Sequence, residues 1–313
     1  FDSLCACVCA YTHHDKPMKL CFYHNDADGR SSAAIVRRAL GSDTRLYEIN
    51  YGDLVPWELV DQVEHIIMVD FSLPLADMQR LASGRRFTWI DHHLSAITNL
   101  GTSAKDWEGL RDLSQAACVL TWQYYFPGQP VPSAILLIGD RDTWSNSLPD
   151  SAAFGEGLNQ QDTRPENDQL WVPLLENDPQ ALQGLISYGN VLRRARLREI
   201  RRSVARFGIK VIFEGCSTLA INRRGDGDLG EHIRKLGYEI AYCYIEGAQN
   251  GKIVTFVTLF SDKVDVAVIA QKFGGGGHRG AAGFSFERNG SPFPDNSQWQ
   301  LIRDEPPPAT QPG

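Results

Sequence analysis

The stretch Arg86-Phe87-Thr88-Trp89-Ile90-Asp91-His92-His93 decides the fold of this chain. Its apolar half predicts a short buried strand, and that strand ends in an acid followed by a pair of histidines. A single buried histidine is usually a satisfied core residue. A run of such groups at the end of a buried strand is costly unless the groups bind something. The stretch therefore predicts a sheet with a binding site at the carboxyl end of this strand.

The residues before and after this stretch alternate between strand-like and helix-like patterns. Strands separated by helices imply βαβ units, a mostly parallel sheet and right-handed crossovers. We therefore expect an α/β fold whose first domain is built on a parallel sheet. The predicted strands are Lys19–His24, Arg45–Tyr51, His65–Phe71 and Arg86–Ile90, and the predicted helices are Ser31–Leu40, Pro56–Val63, Leu75–Ser83, Ser114–Phe126 and Pro132–Ile138.

Acids and histidines recur at the carboxyl ends of these strands. In open α/β sheets that edge is where ligands bind. Carboxylates and imidazoles suit divalent cations, and a donor set of O and N atoms without thiolate favours Mn²⁺. The residues expected at this edge are His24, Asp26, Asp28, Asp70, Asp91, His92 and His93.

Two of these segments have a structural alternative. The Asp-rich turn His24–Gly29 is also typical of a helix cap or an Asx-turn. Asp70 is also placed to cap a helix before Pro74. No such alternative explains the run that begins at Asp91.

Two later segments add residues with binding chemistry. Asp140-Arg141-Asp142-Thr143-Trp144 follows the predicted helix Pro132–Ile138. The segment Phe273–Phe284 contains consecutive glycines followed by His278 and Arg279. Such a run exposes backbone N–H groups beside cationic side chains, which suits a phosphate or a carboxylate. A flexible hairpin is the alternative, but flexibility alone does not call for the adjoining histidine and arginine.

The length of 313 residues exceeds one ordinary core and predicts two domains. A second series of strands and helices begins at Gly208 and predicts a smaller C-terminal α/β domain. The predicted divisions are an N-terminal extension over 1–17, a first α/β domain over 18–150, a helical connector over 151–207, a second α/β domain over 208–288 and a disordered tail over 289–313.

The connector ends in an arginine-rich helix, Val191–Phe207. We interpret it as a solvated helix paired with acidic neighbours, and an RNA-facing basic helix is the alternative. The net charge of −7 argues against a protein that coats nucleic acid by bulk charge. A small anionic substrate still fits, because a pocket needs only local positive charge.

Composition also indicates the compartment. No run reaches the roughly 18 apolar residues of a membrane span, so we expect no membrane partner. Cys21, Cys118, Cys216 and Cys243 lie inside apolar runs, which is typical of reduced core cysteines. The N-terminal segment lacks the basic start of a secretory signal. These features predict a cytoplasmic protein.

Five motifs in this order resemble the DHH phosphoesterase family: HxDxDG from His24, VDFS around Asp70, DHH at Asp91, DxDTW from Asp140 and GGGGHRGAAGF from Gly274. The resemblance covers roughly residues 18–287. It implies a DHH catalytic domain followed by a substrate-binding DHH-associated domain that contains the GGGGH loop. The nano-RNase and oligoribonuclease branch is the most similar.

The resemblance also implies a role for each matching residue. One divalent cation would be held by His24, Asp26 and Asp70, and Asp70 would bridge to a second. Asp142 is preferred to Asp140 as a ligand, because an Asp-Thr pair recurs at the family's fourth motif. The second cation would be held by Asp28, Asp70, His92 and Asp142. Asp91 would orient His92, and His93 would face the substrate phosphate. The residues expected to act in catalysis are Asp28, Asp91, His92 and His93.

The same comparison names the substrate-binding residues and one departure. Relatives often have an arginine in the strand before the glycine loop, where this chain has Phe260. Another residue would then have to bind the phosphate that this arginine contacts in relatives. A nucleobase stacked on the Phe260 ring is a further possibility for the substrate. The residues expected to bind substrate are His93, Gly275, Gly276, Gly277, His278, Arg279, Arg223 and Arg224.

The implied activity is a metal-dependent phosphodiesterase. It would hydrolyse short 5′-phosphorylated oligoribonucleotides, such as pGpG, to nucleoside monophosphates, in RNA degradation and c-di-GMP turnover. Two cations are expected, Mn²⁺ first, with Mg²⁺, Co²⁺ and Fe²⁺ as alternatives. A cyclic-dinucleotide phosphodiesterase, a 3′-phosphoadenosine 5′-phosphate phosphatase and a non-enzymatic nucleotide sensor stay open as alternatives. We expect short RNA as the partner rather than long nucleic acid, and leave a homodimer open.

Overall fold

A computed structural model describes residues 18–302 of the chain. The predicted N-terminal extension over 1–17 lies outside the described residues, as do residues 303–313. The chain divides into two compact units between Arg193 and Arg194. The first unit contains a four-stranded parallel sheet and the second a seven-stranded mixed sheet, each with helices. The predicted α/β fold class is confirmed.

The sheet of the first unit has the strand order β2-β1-β3-β4, and every pair in it is parallel. Tyr23 is in register with Val69, and Val69 with Ile90. Three neighbouring strands therefore end level with one another. The strands are β1 (Lys19–Tyr23), β2 (Arg45–Glu48), β3 (His65–Val69) and β4 (Arg86–Ile90).

Both faces of this sheet are buried at β1, β3 and β4, which explains why these three strands are mainly apolar. Successive side chains of a strand point to opposite faces. Ile66 and Met68 accordingly pack in one apolar cluster, and Ile67 and Val69 pack in another. A parallel sheet covered on both faces needs this pattern, in contrast to the apolar–polar alternation of a half-exposed sheet.

Helices of the first unit form a third core beside the sheet. Ile35 of α1, Phe154 of α7 and Trp171 of α8 are fully buried in that core, and Ile186 of α9 joins them. Most of the predicted connector over 151–207 is therefore part of the first unit, because its apolar side chains pack into this core. The helices are α1 (Ala27–Leu40), α2 (Trp57–Val60), α3 (Leu75–Ala82), α4 (Leu94–Leu100), α5 (Ala117–Tyr125), α6 (Ser133–Asp142), α7 (Ser151–Leu158), α8 (Asp168–Leu175) and α9 (Pro179–Phe207), and the 3₁₀ turn Gly101–Ala104 follows α4.

The sheet of the second unit has the strand order β11-β5-β6-β7-β8-β10-β9. Only the pair formed by β6 and β7 is parallel among its described strands. The elements are β5 (Ile209–Phe213), β6 (Cys216–Asn222), α10 (Gly227–Lys235), β7 (Ile240–Gln249), β8 (Lys252–Phe260), α11 (Val266–Lys272), β9 (Gly276–His278), β10 (Ala281–Glu287) and β11 (Trp299–Leu301).

The predicted disordered tail is wrong for residues 289–302. Phe293 is fully buried and stacks at 5.7 Å on the ring of Phe213. Tyr242 donates a hydrogen bond of 2.6 Å to the carbonyl of Pro292, and Trp299 begins the edge strand β11. The Pro- and Ser-rich composition of this stretch is typical of disorder, but Phe293 and Trp299 within it pack against the sheet and order the chain.

No helix between residues 18 and 302 combines the length and the apolar character that a bilayer crossing requires.

Candidate metal centre

Level strand ends bring the polar residues of the first unit together. His24 follows β1, Asp70 follows β3 and Asp91 follows β4, each directly after the last strand residue. The register of the strands places these three positions side by side. A backbone hydrogen bond also joins two of these strand ends, since the Asp70 N–H donates to the carbonyl of Ile90 at 2.9 Å.

The first turn, His24–Gly29, combines a helix cap with candidate ligands. Asp26 is the N-cap of α1, and its Oδ1 accepts a hydrogen bond from the Gly29 N–H at 2.9 Å. Its other oxygen lies 2.7 Å from Nδ1 of His24. Gly29 is required here, because an added Cβ would lie 2.3 Å from the His24 carbonyl oxygen. The cap predicted as an alternative is therefore present together with the acid–histidine contact.

Asp28 lies in the first turn of α1 and is almost fully buried. Its carboxylate accepts hydrogen bonds from the backbone N–H groups of Ala117, at 2.8 Å, and Cys118, at 2.6 Å. These groups belong to the first turn of α5, whose positive end favours an anion. Sequence reasoning missed this partner, since the donors are backbone groups that no residue type marks.

Asp70 is buried in a left-handed backbone conformation, with φ 55°. Aspartate tolerates this region better than most residues, and such positions are frequent at functional sites. Neither carboxylate oxygen of Asp70 makes a hydrogen bond within the described chain. The nearest imidazole nitrogens are Nε2 of His92, at 3.4 Å, and Nδ1 of His24 and of His93, each at 3.8 Å.

His92 is the point where the acids converge. Its Nε2 lies 3.3 Å from Asp142, 3.4 Å from Asp70 and 3.5 Å from Asp28. The same nitrogen has no hydrogen-bond partner among the described residues, and Oδ2 of Asp142 also has none. Buried polar atoms normally have a hydrogen-bond partner, so these unpaired atoms indicate a binding site for a ligand.

Asp142 rather than Asp140 approaches His92. Helix α6 runs to Asp142, past its predicted end at Ile138, so both acids lie in its last turn. The carboxylate of Asp140 instead accepts hydrogen bonds from the Ser147 N–H, at 2.7 Å, and from its hydroxyl, at 2.7 Å. Asp140 therefore fastens the turn that follows α6.

Asp91 contacts a different ring from the one expected. Its Oδ1 accepts hydrogen bonds from the N–H groups of His92, at 2.7 Å, and His93, at 3.0 Å. The same oxygen lies 2.8 Å from Nδ1 of the His93 ring. Asp91 thus orients the side chain of His93 and reaches His92 only through its backbone. The expectation that Asp91 orients the His92 ring is wrong, because Asp91 bonds the next residue along the turn.

Crowding of acids shifts the protonation of the site. Burial and the neighbouring Asp28 raise the pKa of Asp70 well above its usual value, and burial also raises the pKa of Asp28. Burial and the charge of Asp28 raise the pKa of Asp142 to about 7. Burial opposes the ionisation of Asp26, but hydrogen bonds from His24 and Gly29 outweigh it and lower its pKa to about 2. The buried acids thus repel one another, and a positive charge among them would stabilise their ionised forms.

The donor atoms fit divalent cations. Three overlapping groups have ligand atoms within 4.8 Å of one another: His24, Asp26 and Asp70; Asp28, His92 and Asp142; and Asp70, His92 and His93. A cation would supply both the positive charge and the partners that the unpaired atoms lack. Oxygen and imidazole donors without thiolate suit Mn²⁺ and similar ions. We call His24, Asp26, Asp28, Asp70, His92 and Asp142 the metal centre.

The predicted glycine loop in the second unit is a β-hairpin. Gly277 pairs with Ala282 across strands β9 and β10. An added Cβ at Gly275 would lie 2.1 Å from the carbonyl oxygen of Gly283, so packing of the hairpin requires a glycine there. At Gly276 an added Cβ would meet nothing within 4 Å. Close packing therefore explains why residue 275 is a glycine, but it does not explain the glycine at position 276.

The side chains predicted to bind phosphate lie on surfaces of this unit. His278 and Arg279, at the tip of the hairpin, are exposed. Arg223 forms an ion pair with Glu199, and exposed Arg224 lies beside it in an open cleft that Arg196 also lines. Arg196 pairs with Asp226 at 3.1 Å, which agrees with the interpretation of the arginine-rich helix as paired with acids.

Phe260, at the departure from the resembled family, packs inside this unit. An added Cβ at Gly230 of α10 would lie 2.6 Å from Cγ of Phe260. Its ring therefore lies flush on that helix. Phe260 also packs against the apolar cluster that contains Leu229 and Ile233.

No protein-family model matches the sequence. The uncharacterized protein R106 of Acanthamoeba polyphaga mimivirus is 26% identical to this chain over 242 residues. The match takes in 73% of this chain and 55% of R106, so the chain spans about half the length of this curated relative.

Solved structures share the fold. The pGpG-specific phosphodiesterase PggH of Vibrio cholerae has a TM-score of 0.51 and 14% identity, over 86% of this chain and 93% of PggH. The DHH domain of a member of the s1p family of ribosomal proteins has a TM-score of 0.51 and 13% identity, over 85% of this chain and 82% of that one. At identities this low, the structural similarity shows a common fold and nothing further. The chain therefore has an α/β fold similar to that of a solved DHH domain.

Proposed function

We propose that this chain is a metal-dependent phosphodiesterase of the DHH family that hydrolyses short 5′-phosphorylated oligoribonucleotides, such as pGpG, to nucleoside monophosphates. The observation that carries the proposal is the position of Asp70. Its carboxylate belongs to two of the three ligand groups, and both of its oxygens lack a hydrogen-bond partner in the described chain. A buried carboxylate shared between two ligand groups is what a pair of bridged cations requires.

The proposed ligands follow from the same groups. His24, Asp26 and Asp70 would hold one divalent cation. Asp28, Asp70, His92 and Asp142 would hold the other, with Mn²⁺ as the first candidate. Cations at such a site lower the pKa of bound water and neutralise charge on phosphoryl oxygens.

The chain's own contacts support the positions of these ligands. The backbone N–H groups of Ala117 and Cys118 fix the orientation of the Asp28 carboxylate. The bond from Asp91 holds the His93 ring beside the metal centre, and it raises the pKa of that ring. A ring held there would be placed to contact a phosphate oxygen. His93 is therefore the proposed phosphate ligand of the first unit.

The second unit supplies the remaining proposed contacts. His278, Arg279 and the backbone of Gly276 would bind the terminal 5′-phosphate of the substrate. Exposed Arg224, and Arg223 beside it, are a second source of positive charge in place of the arginine that Phe260 replaces. Recognition of a terminal phosphate would restrict the enzyme to short substrates, which agrees with the negative net charge of the chain.

A substrate panel tests this proposal. The purified protein is loaded with Mn²⁺ and assayed on pGpG, pApA, longer oligomers, cyclic di-GMP and 3′-phosphoadenosine 5′-phosphate. We expect pGpG and pApA to be cleaved fastest, to nucleoside monophosphates. Faster turnover of cyclic di-GMP or of 3′-phosphoadenosine 5′-phosphate would replace the proposed substrate with one of those. Tight binding of pGpG without products at full metal occupancy would indicate a sensor.

Two variants make the assay specific to the site. Asp70→Ala should abolish turnover of pGpG, because it removes the shared ligand. Asp106→Ala removes an exposed acid of the same unit and serves as the matched control, with unchanged turnover expected. Full activity of Asp70→Ala would contradict the assignment of the site.

A further inference from the structure

A cavity of about 270 Å³ opens directly beside the metal centre, entirely within the first unit. Asp28 and Asp142 of the metal centre form one side of it. Its other walls come from α6, α7 and the turn between them, and we call it the Trp144 pocket. Its principal lining residues are Asp28, Asp142, Trp144, Phe154, Leu158 and Asn159.

The walls of the Trp144 pocket are mainly apolar. Phe154 and Leu158 belong to the helical core, are almost wholly buried, and lie behind the wall of the pocket. A pocket that combines apolar walls with a few polar groups next to a reactive centre is typical of small-molecule sites. The volume lies near the lower end of the range for such sites, so it suits one ring system rather than an extended chain.

Trp144 presents its ring to solvent at the mouth of this pocket, with 80% of the residue exposed. Its backbone is left-handed, with φ 57°, which is an outlier for a bulky residue. Two hydrogen bonds nevertheless hold the backbone of this turn. The Asn146 side chain donates one of 2.8 Å to the Trp144 carbonyl, and the Trp144 N–H donates one of 3.2 Å to the Arg141 carbonyl. An exposed indole held in place beside an apolar cavity provides a flat surface for stacking.

Polar groups at the rim fit the edge of a heterocycle. Asn159 is exposed at the rim, and its amide offers both donors and an acceptor. The acids Asp26, Asp28 and Asp142 line the pocket together with one cation, Arg141. The Arg141 guanidinium already donates a hydrogen bond to Asn146, so the lining disfavours a second anion. A flat, uncharged ring with a polar edge therefore suits the pocket better than another phosphate.

We propose that the Trp144 pocket is a nucleobase subsite, in which the base of one nucleoside of the scissile phosphodiester stacks on Trp144. This inference rests on the proposed function, because it identifies what is esterified to the phosphate at the metal centre. The base of that nucleoside is the aromatic group nearest to the scissile phosphorus. Stacking on an aromatic side chain is tolerant of base identity, so the pocket selects nucleotides without selecting one base.

Kinetics with baseless substrates test the subsite. The Mn²⁺-loaded protein and its Trp144→Ala variant are compared on pGpG and on two analogues that lack the base of the first or of the second nucleotide. Trp144→Ala should lower kcat/KM for pGpG by about 5- to 150-fold, the range expected for loss of one stacked base. It should leave kcat/KM unchanged for the analogue whose missing base would have filled the pocket. Trp144→Phe should restore most of the activity on pGpG.

The controls separate a subsite from a structural effect. Tyr188→Ala removes another exposed aromatic ring of the first unit and should change none of these rates. Equal losses on pGpG and on both baseless analogues would overturn the subsite, because Trp144 would then act on the fold or on the metal centre. An unchanged rate on pGpG would overturn it as well.

A binding measurement distinguishes failure of this inference from failure of the proposed function. The affinities of GMP and of ribose 5-phosphate for the Mn²⁺-loaded protein are measured by calorimetry, which needs no turnover. GMP should bind more tightly, and Trp144→Ala should remove that advantage. If the protein cleaves no phosphodiester but shows this difference, the proposed function fails and the subsite stands. If it cleaves pGpG but binds both ligands equally in wild type and variant, only the subsite fails.

Discussion

Nε2 of His92 lies 3.4 Å from Oδ1 of Asp70, and neither atom makes a hydrogen bond within the described residues. Two buried polar atoms this close, both unpaired, are costly in a folded protein. They become favourable once a cation lies between the acids and the imidazole. The same argument extends to Asp142, which also approaches His92 with an unpaired oxygen.

Removal of metal should therefore destabilise the chain. We expect the Tm of the chain, stripped with EDTA and then freed of the chelator, to rise when Mn²⁺ is added, because a ligand at 100 times its Kd contributes about 2.7 kcal/mol. Asp70→Asn should raise the Tm in EDTA, since it relieves repulsion among the buried acids, and should lose most of the gain from Mn²⁺. Thermal unfolding followed by circular dichroism measures both effects. Asp106→Asn is the exposed control, and an equal Mn²⁺ response in Asp70→Asn would argue against the site.

The turn before α1 makes a prediction about stability. Gly29→Ala places a Cβ 2.3 Å from the His24 carbonyl oxygen, so the backbone must move. We expect a loss of about 1–3 kcal/mol in the free energy of unfolding, as for other overpacked sites. Gly184→Ala is the matched control in α9, because its Cβ meets nothing within 4 Å, and it should stabilise by about 0.4–1 kcal/mol. Urea titration of both variants decides the matter, and equal stabilities would contradict the described turn.

The glycine hairpin offers a pair of substitutions with opposite outcomes. Gly275→Ala should destabilise the second unit, because its Cβ would lie 2.1 Å from the Gly283 carbonyl oxygen. Gly276→Ala has open space and should fold normally. If the Gly276 backbone N–H binds the terminal phosphate, the added Cβ would keep the phosphate from approaching it, and KM for pGpG should rise by about tenfold or more, as for loss of a charge-assisted hydrogen bond of about 1.5–3 kcal/mol. An unchanged KM would remove Gly276 from the substrate site.

His65 predicts a pH dependence of stability that is independent of the metal centre. Burial, and then the charge of Arg86, lower the pKa of His65 to about 4, from an ordinary value of 6.5. Between these values the unfolded chain binds a proton that the folded chain does not. Stability is thus fully present above pH 6.5 and falls as the pH drops toward 4, by up to about 3 kcal/mol.

A substitution isolates this contribution. His65→Gln keeps a polar partner for the Thr88 hydroxyl, which lies 3.0 Å from Nε2 of His65. Urea titrations of both proteins at several values between pH 4 and 6.5 should give a shallower pH slope for the variant. Identical slopes would show that His65 does not carry the effect.

The sequence was most informative about the first sheet. Strands β1, β3 and β4 are mainly apolar because both of their faces are buried, and each is followed by the polar residue where the chain leaves the core. Arg86–Ile90 was predicted with the bounds that the structure has. The same pattern predicts that His24, Asp70 and Asp91 lie at one edge of the sheet, as the structure shows.

The sequence was least informative where glycine or backbone groups decide the structure. Strand β9 (Gly276–His278) was predicted as a loop, since glycine has little preference for strands and its pairing with β10 is a tertiary effect. Helix α4 (Leu94–Leu100) was not predicted, and it begins directly after His93. The bonds from α5 to Asp28 were missed because their donors are backbone groups.

Cation stoichiometry tests the central claim most directly. The wild-type chain and Asp70→Asn are loaded with Mn²⁺, passed through a desalting column and analysed by mass spectrometry for metal per chain. We predict about two tightly held cations for the wild type, as in a bridged two-metal site, and loss of most of both in the variant, because one carboxylate serves both positions. Retention of both cations by Asp70→Asn, or no bound cation in the wild type, would contradict the account.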